Sequence, residues 1–302
     1  MNEIVLLDGG MGQELIARSS QPASPLWSAK ILVDEPQLVA AVHRDYIDAG
    51  ATVLTLNTYA VTPQRLAAQG SEELFERLQA QACDILTRVR GESGRDVAIA
   101  GCLPPLVASY HPEVSPAYDA ALAAYRRIVA VQAEHVDLFL GETLASTAEA
   151  TAAARAALES GLPVWISLTI NDDDSITLRS GERLAECLAA LRELGVGARL
   201  LNCSRPEAIT AAWGVFAAGG GVTGAYANGF TSIDGLKPGG TVDALEARRD
   251  LSPEAYADFA MSWVEHGASI VGGCCEVGPA HIRRLRERLE AAGHTIVRPS
   301  SR

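Results

Sequence analysis

Short apolar runs rich in β-branched residues alternate along this chain with longer segments in which Ala, Leu and Arg recur at helical spacing. Eight of the runs read as strands: Ile4 to Leu7, Thr52 to Leu56, Val97 to Ala100, Val136 to Leu140, Val164 to Thr169, Ala198 to Leu201, Val222 to Tyr226 and Ser269 to Val271. The segment opened by Asp34, Glu35 and Pro36 puts Leu38, Val39, Val42, Tyr46 and Ile47 on one helical face and ends at Gly50. Residues 71–90, 117–134, 146–159, 181–194, 205–217, 252–266 and 279–292 carry the same period, so each strand is followed by a helix. Repeated βα units predict an α/β fold with a parallel sheet. Eight of them fit a single-domain (β/α)8 TIM barrel over residues 1–294, with 295–302 as a frayed C-terminal tail. An open doubly wound sheet has the same periodicity and remains the alternative, because the pattern does not say whether the eighth strand returns to the first.

In a barrel of this kind the chemistry gathers where strands end, and the polar residues collect there. The first strand runs into Asp8, Gly9 and Gly10, the second into Asn57, Thr58 and Tyr59, and the fourth into Gly141, Glu142 and Thr143. The sixth ends in Asn202 and Cys203, the seventh in Tyr226, Ala227 and Asn228, and the eighth in Gly272, Gly273, Cys274 and Cys275. Three of the six cysteines therefore share one rim.

Composition narrows what that rim does. Lys and Arg total 25 against 37 Asp and Glu, a net charge of −12, and no basic block is present to follow a phosphate backbone, so nucleic acid is excluded as a partner. No apolar run approaches the roughly 18 residues that span a bilayer, and the N-terminus shows no basic leader or long apolar core. A cytoplasmic protein with reduced thiols is expected, where clustered cysteines are more often metal-binding or catalytic than structural.

Cys203 alone reads as a small buried apolar residue, and for Cys274 with Cys275 alone a strained adjacent disulfide is a minor alternative. Together, on the sixth and eighth strands, they read as a three-thiolate site for Zn2+, with a fourth position open to water or substrate. Gly272 and Gly273 allow the backbone bend that adjacent ligands need. Cys83 and Cys187 fall on predicted helices and read as core, while Cys102 follows the third strand as a spare thiol near the rim. Asp8 and Glu142 read either as rim carboxylates that hold an ammonium group or as helix-cap and loop acceptors. Trp27, Tyr59 and Tyr226 offer cation–π faces or ordinary packing, His43 and the other helical histidines read as solvated, and Asn171 to Asp174 reads as a turn.

The segments LLDGGMGQEL (6–15), LTLNTYA (54–60), GET (141–143), LNCS (201–204), YAN (226–228) and VGGCCEVGPAHI (271–282) resemble the zinc-dependent homocysteine S-methyltransferases, in order and across essentially the whole chain. The resemblance implies a zinc barrel that methylates homocysteine to methionine with Cys203, Cys274 and Cys275 as ligands. It places Asp8, the backbone of Gly9, and Glu142 at the amino-acid end of homocysteine, and Tyr226 and Asn228 near the thiol or donor. With no cobalamin signature in the chain, the implied donor is small and diffusible, a sulfonium such as S-methylmethionine. A related zinc thiol or selenol methyltransferase that uses betaine or dimethylsulfoniopropionate, and a non-catalytic barrel with structural zinc, are the competing readings. Two departures bear on the donor: Ala227 stands where Tyr-Pro-Asn is frequent, and Cys-Cys continues into Glu276 and Val277 instead of Thr-Thr.

Overall fold

A computed structural model describes residues 2–20, 27–240 and 242–300. The strands are β1 (Glu3–Leu6), β2 (Val53–Thr55), β3 (Ala98–Leu103), β4 (Leu138–Leu144), β5 (Val164–Leu168), β6 (Ala198–Asn202), β7 (Val222–Tyr226), β8 (Ile270–Val271) and β9 (Thr295–Ile296). The helices are α1 (Met11–Arg18), α2 (Trp27–Asp34), α3 (Pro36–Ala49), α4 (Pro63–Ala68), α5 (Phe75–Ser93), α6 (Tyr118–Gln132), α7 (Thr147–Leu158), α8 (Leu184–Leu194), α9 (Pro206–Ala217), α10 (Pro253–Glu265) and α11 (Pro279–Ala291). The eight predicted strands correspond to β1–β8 and the predicted helices to α3 and α5–α11, whereas α1, α2, α4 and β9 are additions. Local chemistry explains several boundaries: Pro36, Pro206, Pro253 and Pro279 occupy first-turn positions, Ser146 and Ser252 cap α7 and α10, and Gly50 ends α3 at φ 110°.

These elements form a single-domain α/β fold around one parallel sheet of nine strands, in the order β2-β3-β4-β5-β6-β7-β8-β1-β9. One edge of β1 bonds β8, through Val5 N to Ser269 O and Leu7 N to Val271 O. Along its other edge, Val297 N donates to Ile4 O at 3.0 Å, and further on Thr52 N donates to Leu6 O at 2.7 Å and Asp8 N to Val53 O at 3.0 Å. β9 and β2 thus lie end to end beside β1, and Leu7 bridges Val53 in parallel.

The segment expected to fray is docked over its first four residues. Thr295–Ile296 pairs with Glu3 and Ile4, Val297 packs into the sheet interior, and Arg298 pairs with Asp137 at 2.7 Å. Backbone pairing on an otherwise open strand edge, reinforced by that ion pair, supplies the order that sequence composition did not reveal.

Strand residues alternate between two apolar layers. Leu7, Val53, Ala100, Leu140, Leu200 and Ile270 face inward, while Leu6, Leu54, Ile99, Phe139, Leu201 and Val271 face the helices. Both faces are buried, as parallel sheets require. No helix among the described residues is long and apolar enough to cross a membrane.

Candidate active site

Beyond the C-terminal ends of these strands lies a cavity of about 460 Å3, within the range of small-molecule sites. Asp8, Gly9, Glu142, Tyr226, Cys203, Cys274 and Cys275 all line it. Asn228 does not. It is fully buried beneath the wall, with its N–H bonded to Ser204 O and its Nδ2 unpartnered. The segment around it laces the cysteine loops together: Cys274 N donates to Ala227 O at 3.0 Å and Gly229 N to Cys275 O at 2.9 Å.

The three sulfurs lie within 4.8 Å of one another and form a group able to hold a metal ion. Cys203 Sγ is 2.8 Å from Cys274 Sγ and 3.7 Å from Cys275 Sγ. Cys274 and Cys275 occupy successive positions of a tight turn closed by Val277 N to Cys274 O, with Glu276 at φ 63° as its left-handed corner. That turn, rather than an extended strand, brings adjacent side chains to one point. Gly273 is required by space: a Cβ there would lie 2.2 Å from Val277 Cγ1. Gly9 is confined in the same way, since its Cβ would meet Val277 O at 2.0 Å.

Cys203 itself has φ 49° and is 2 % exposed. Tyr110 Oη lies 2.9 Å from its Sγ. Burial opposes ionisation of Cys203, but hydrogen bonds from Cys274, Cys275 and Tyr110 outweigh it and hold its pKa well below the usual thiol value. Tyr110 was not identified from sequence because it sits in a loop well past β3, at φ 66°.

Glu142 is aimed by a β-bulge: the register of β4 against β5 shifts between Gly141 and Leu144, and Thr143 within the shift adopts φ 61°. A β-branched residue is costly there, and Asn202 holds it in place. Asn202 Oδ1 accepts from Thr143 N and its Nδ2 donates to Thr143 Oγ1, both at 2.9 Å. Four of the five non-glycine residues with positive φ among those described, Tyr110, Thr143, Cys203 and Glu276, belong to or directly brace this site.

Asp8 is buried and Glu142 half-buried, and neither has a cation partner among the described residues. Asp8 Oδ2 accepts from Thr55 N at 2.9 Å, and Glu142 Oε1 accepts from Cys102 Sγ at 3.0 Å, so the spare thiol orients a carboxylate. Burial pushes Asp8 up to about 8, with Glu142 adding to the rise. Burial likewise pushes Glu142 up to about 7, and the negative potential of Cys203 reinforces it. Tyr226 Oη sits near Glu142 and Ser167 but makes no well-formed hydrogen bond. The Tyr59 ring already carries a cation, the Arg65 guanidinium at 5.2 Å; the Trp27 side chain lies outside the described residues. Cys83 and Cys187 are buried in α5 and α8, as expected of core thiols. His43, by contrast, is buried in α3 instead of solvated, and burial pushes it down to about 3, leaving it neutral.

The sequence profile of homocysteine S-methyltransferases matches residues 5–289, and the chain belongs to that family and is a methyltransferase. It is 30% identical to homocysteine S-methyltransferase 2 of Arabidopsis thaliana, over 94% of this chain and 92% of that one. It is also 30% identical to the selenocysteine Se-methyltransferase of Brassica oleracea var. italica, over 94% and 88%. Among solved structures, the metallated form of the Escherichia coli homocysteine methyltransferase MmuM superposes with a TM-score of 0.79 at 29% identity, covering 95% of this chain and 96% of that one.

Proposed function

We propose that this methyltransferase is a zinc enzyme that moves a methyl group from a small sulfonium donor, such as S-methylmethionine, to the thiol of homocysteine, forming methionine. One observation carries the reading: three sulfurs converge in a cavity that also holds the carboxylates of Asp8 and Glu142, which have no ion-pair partner among the described residues. The Leu7–Val53 bridge, which joins the first strand of the sheet order to β1, supports a closed (β/α)8 barrel over residues 1–294.

The donor set fits zinc. Thiolates select soft or borderline ions, and zinc–sulfur bonds of about 2.3 Å in tetrahedral array set sulfurs about 3.8 Å apart; Cys203 and Cys275 are already 3.7 Å apart, and Cys274, at 2.8 Å from Cys203, would move outward by about 1 Å on binding. Cys203, Cys274 and Cys275 would hold the ion, and a cytoplasmic setting would keep them reduced. When bound, zinc would ionise the homocysteine thiol, whose pKa is otherwise about 8.5, and keep its sulfur nucleophilic.

The protein's own groups do the rest. Asp8 and Glu142 take the substrate ammonium, which restores both carboxylates to their charged forms, beside the backbone of Gly9. Asn202 fixes the bulge that aims Glu142, and the Asn228 segment sets the spacing of the cysteine loops. Tyr226 closes the wall next to Glu142. As the thiolate bonds to the donor methyl carbon, the old carbon–sulfur bond breaks and its electron pair stays on the donor sulfur. A cation and an anion become two neutral thioethers, so a cavity that excludes water favours the step.

Purified protein should bind one zinc ion and form methionine from homocysteine with at least one of the sulfoniums S-methylmethionine, S-adenosylmethionine or dimethylsulfoniopropionate. Zinc-loaded protein inert with all three would overturn the reading, and activity with betaine alone would replace the sulfonium donor by an ammonium one. The Brassica relative supports a second acceptor, so selenocysteine belongs in the same panel. Tyr110→Phe removes the hydroxyl beside Cys203, and metal affinity measured by chelator competition should fall about tenfold, as for other outer partners of metal ligands.

A further inference from the structure

The cavity extends past Tyr59 to Gln64 and Arg65, away from the acidic pair. Arg65 sits in the first turn of α4, where Nη2 donates to Pro105 O at 3.0 Å. Its Nε is buried without a partner, Nη1 makes no hydrogen bond, and no carboxylate among the described residues lies in ion-pair contact with it. Glu149 acts on it electrostatically, but the oxygens of that group are taken by Ser115 Oγ and Ala145 N. The guanidinium instead lies over the Tyr59 ring, and Tyr59 in turn lies within electrostatic reach of both Cys203 and Glu142. Gln64 Oε1, on the same wall, is also buried and unpartnered. An uncompensated guanidinium below the surface costs stability unless a ligand supplies the missing charge. Its planar fork matches a carboxylate.

We propose that Arg65 is a specificity-determining residue that binds the carboxylate of a substrate in this cavity, opposite the end where Asp8 and Glu142 receive an ammonium. The assignment rests on the methyl-transfer reading above. The carboxylate of homocysteine shares a carbon with its ammonium, so a carboxylate at this end belongs to the sulfonium donor, and the acceptor serves as the control. KM and kcat are measured for wild type, Arg65→Gln and Arg65→Lys with dimethylsulfoniopropionate and its methyl ester as donors, and with homocysteine and 3-aminopropanethiol as acceptors. Arg65→Gln should raise KM about 10- to 100-fold for dimethylsulfoniopropionate, leave its methyl ester and both acceptors unaffected and leave kcat nearly unchanged; Arg65→Lys should recover part of the loss. Sensitivity confined to the carboxylate-bearing donor supports the proposal, and sensitivity to the carboxylate of homocysteine overturns it. Equal effects within both pairs, or none, overturn the proposal. Should wild type transfer no methyl group at all, the functional reading fails by itself. Calorimetric titration of dimethylsulfoniopropionate and of homocysteine into zinc-loaded wild type and Arg65→Gln then decides the role of Arg65, with equal affinities or no binding counting against it.

Discussion

Cys203→Ser should leave a folded protein that neither retains zinc through dialysis nor transfers methyl groups, with kcat/KM down at least ~1000-fold, the several kcal/mol that a metal contributes to such a step. Serine is close in size, and the surrounding backbone hydrogen bond, Cys203 N to Tyr226 O at 3.2 Å, does not involve the side chain. The loss therefore falls on the donor atom. A hydroxyl is harder and far less acidic than a thiol, and it cannot replace the sulfur toward which Cys274, Cys275 and Tyr110 all converge. Metal analysis and circular dichroism on the same sample separate this from misfolding. Cys83→Ser is the control: that thiol is buried in α5, so the variant should lose stability yet keep one zinc ion per chain. A Cys203→Ser protein with full metal content and full activity would remove the chemical basis of the proposed function.

The cysteine cluster was legible in sequence because Cys203 directly follows β6, Cys274 and Cys275 follow β8 after two glycines, and parallel strands deliver their C-terminal ends to one rim. The same logic located Asp8 and Glu142. Contacts that depend on loop conformation were not legible. Tyr110 is 93 residues from Cys203 and reaches it only through a left-handed backbone turn. Asn202 was visible as the neighbour of Cys203, but its clamp on Thr143 arises from a β-bulge that no spacing announces. The extra elements escaped because they are short: α1 and α2 have eight residues each, α4 six and β9 two, and no long apolar run marks β9. His43 escaped because one polar residue on an apolar helical face does not announce its burial.

Asp8→Asn should make the metal-free protein more stable in alkali and the enzyme much poorer in homocysteine binding. The pKa of Asp8 rises from 3.8 in its ordinary state to about 8 in the fold, chiefly through burial. A raised carboxyl favours folding below its unfolded pKa, and that advantage disappears as pH climbs from about 4 to about 8. At roughly 1.4 kcal/mol per unit the ceiling is about 6 kcal/mol, which water in the cavity reduces. Asparagine keeps an oxygen for Thr55 N and carries no charge at any pH, so the melting temperature should rise on the order of 5 °C at pH 9 and stay unchanged at pH 4. In the zinc-loaded enzyme the same change removes a charged partner of the substrate ammonium. KM for homocysteine should rise about 10- to 100-fold, the worth of a charge-assisted hydrogen bond. Gain in stability with loss of binding at one residue is the signature of a group kept for its ligand. If the alkaline melting temperature drops instead, the Asp8 charge is compensated within the empty fold, and the ammonium has to be held elsewhere.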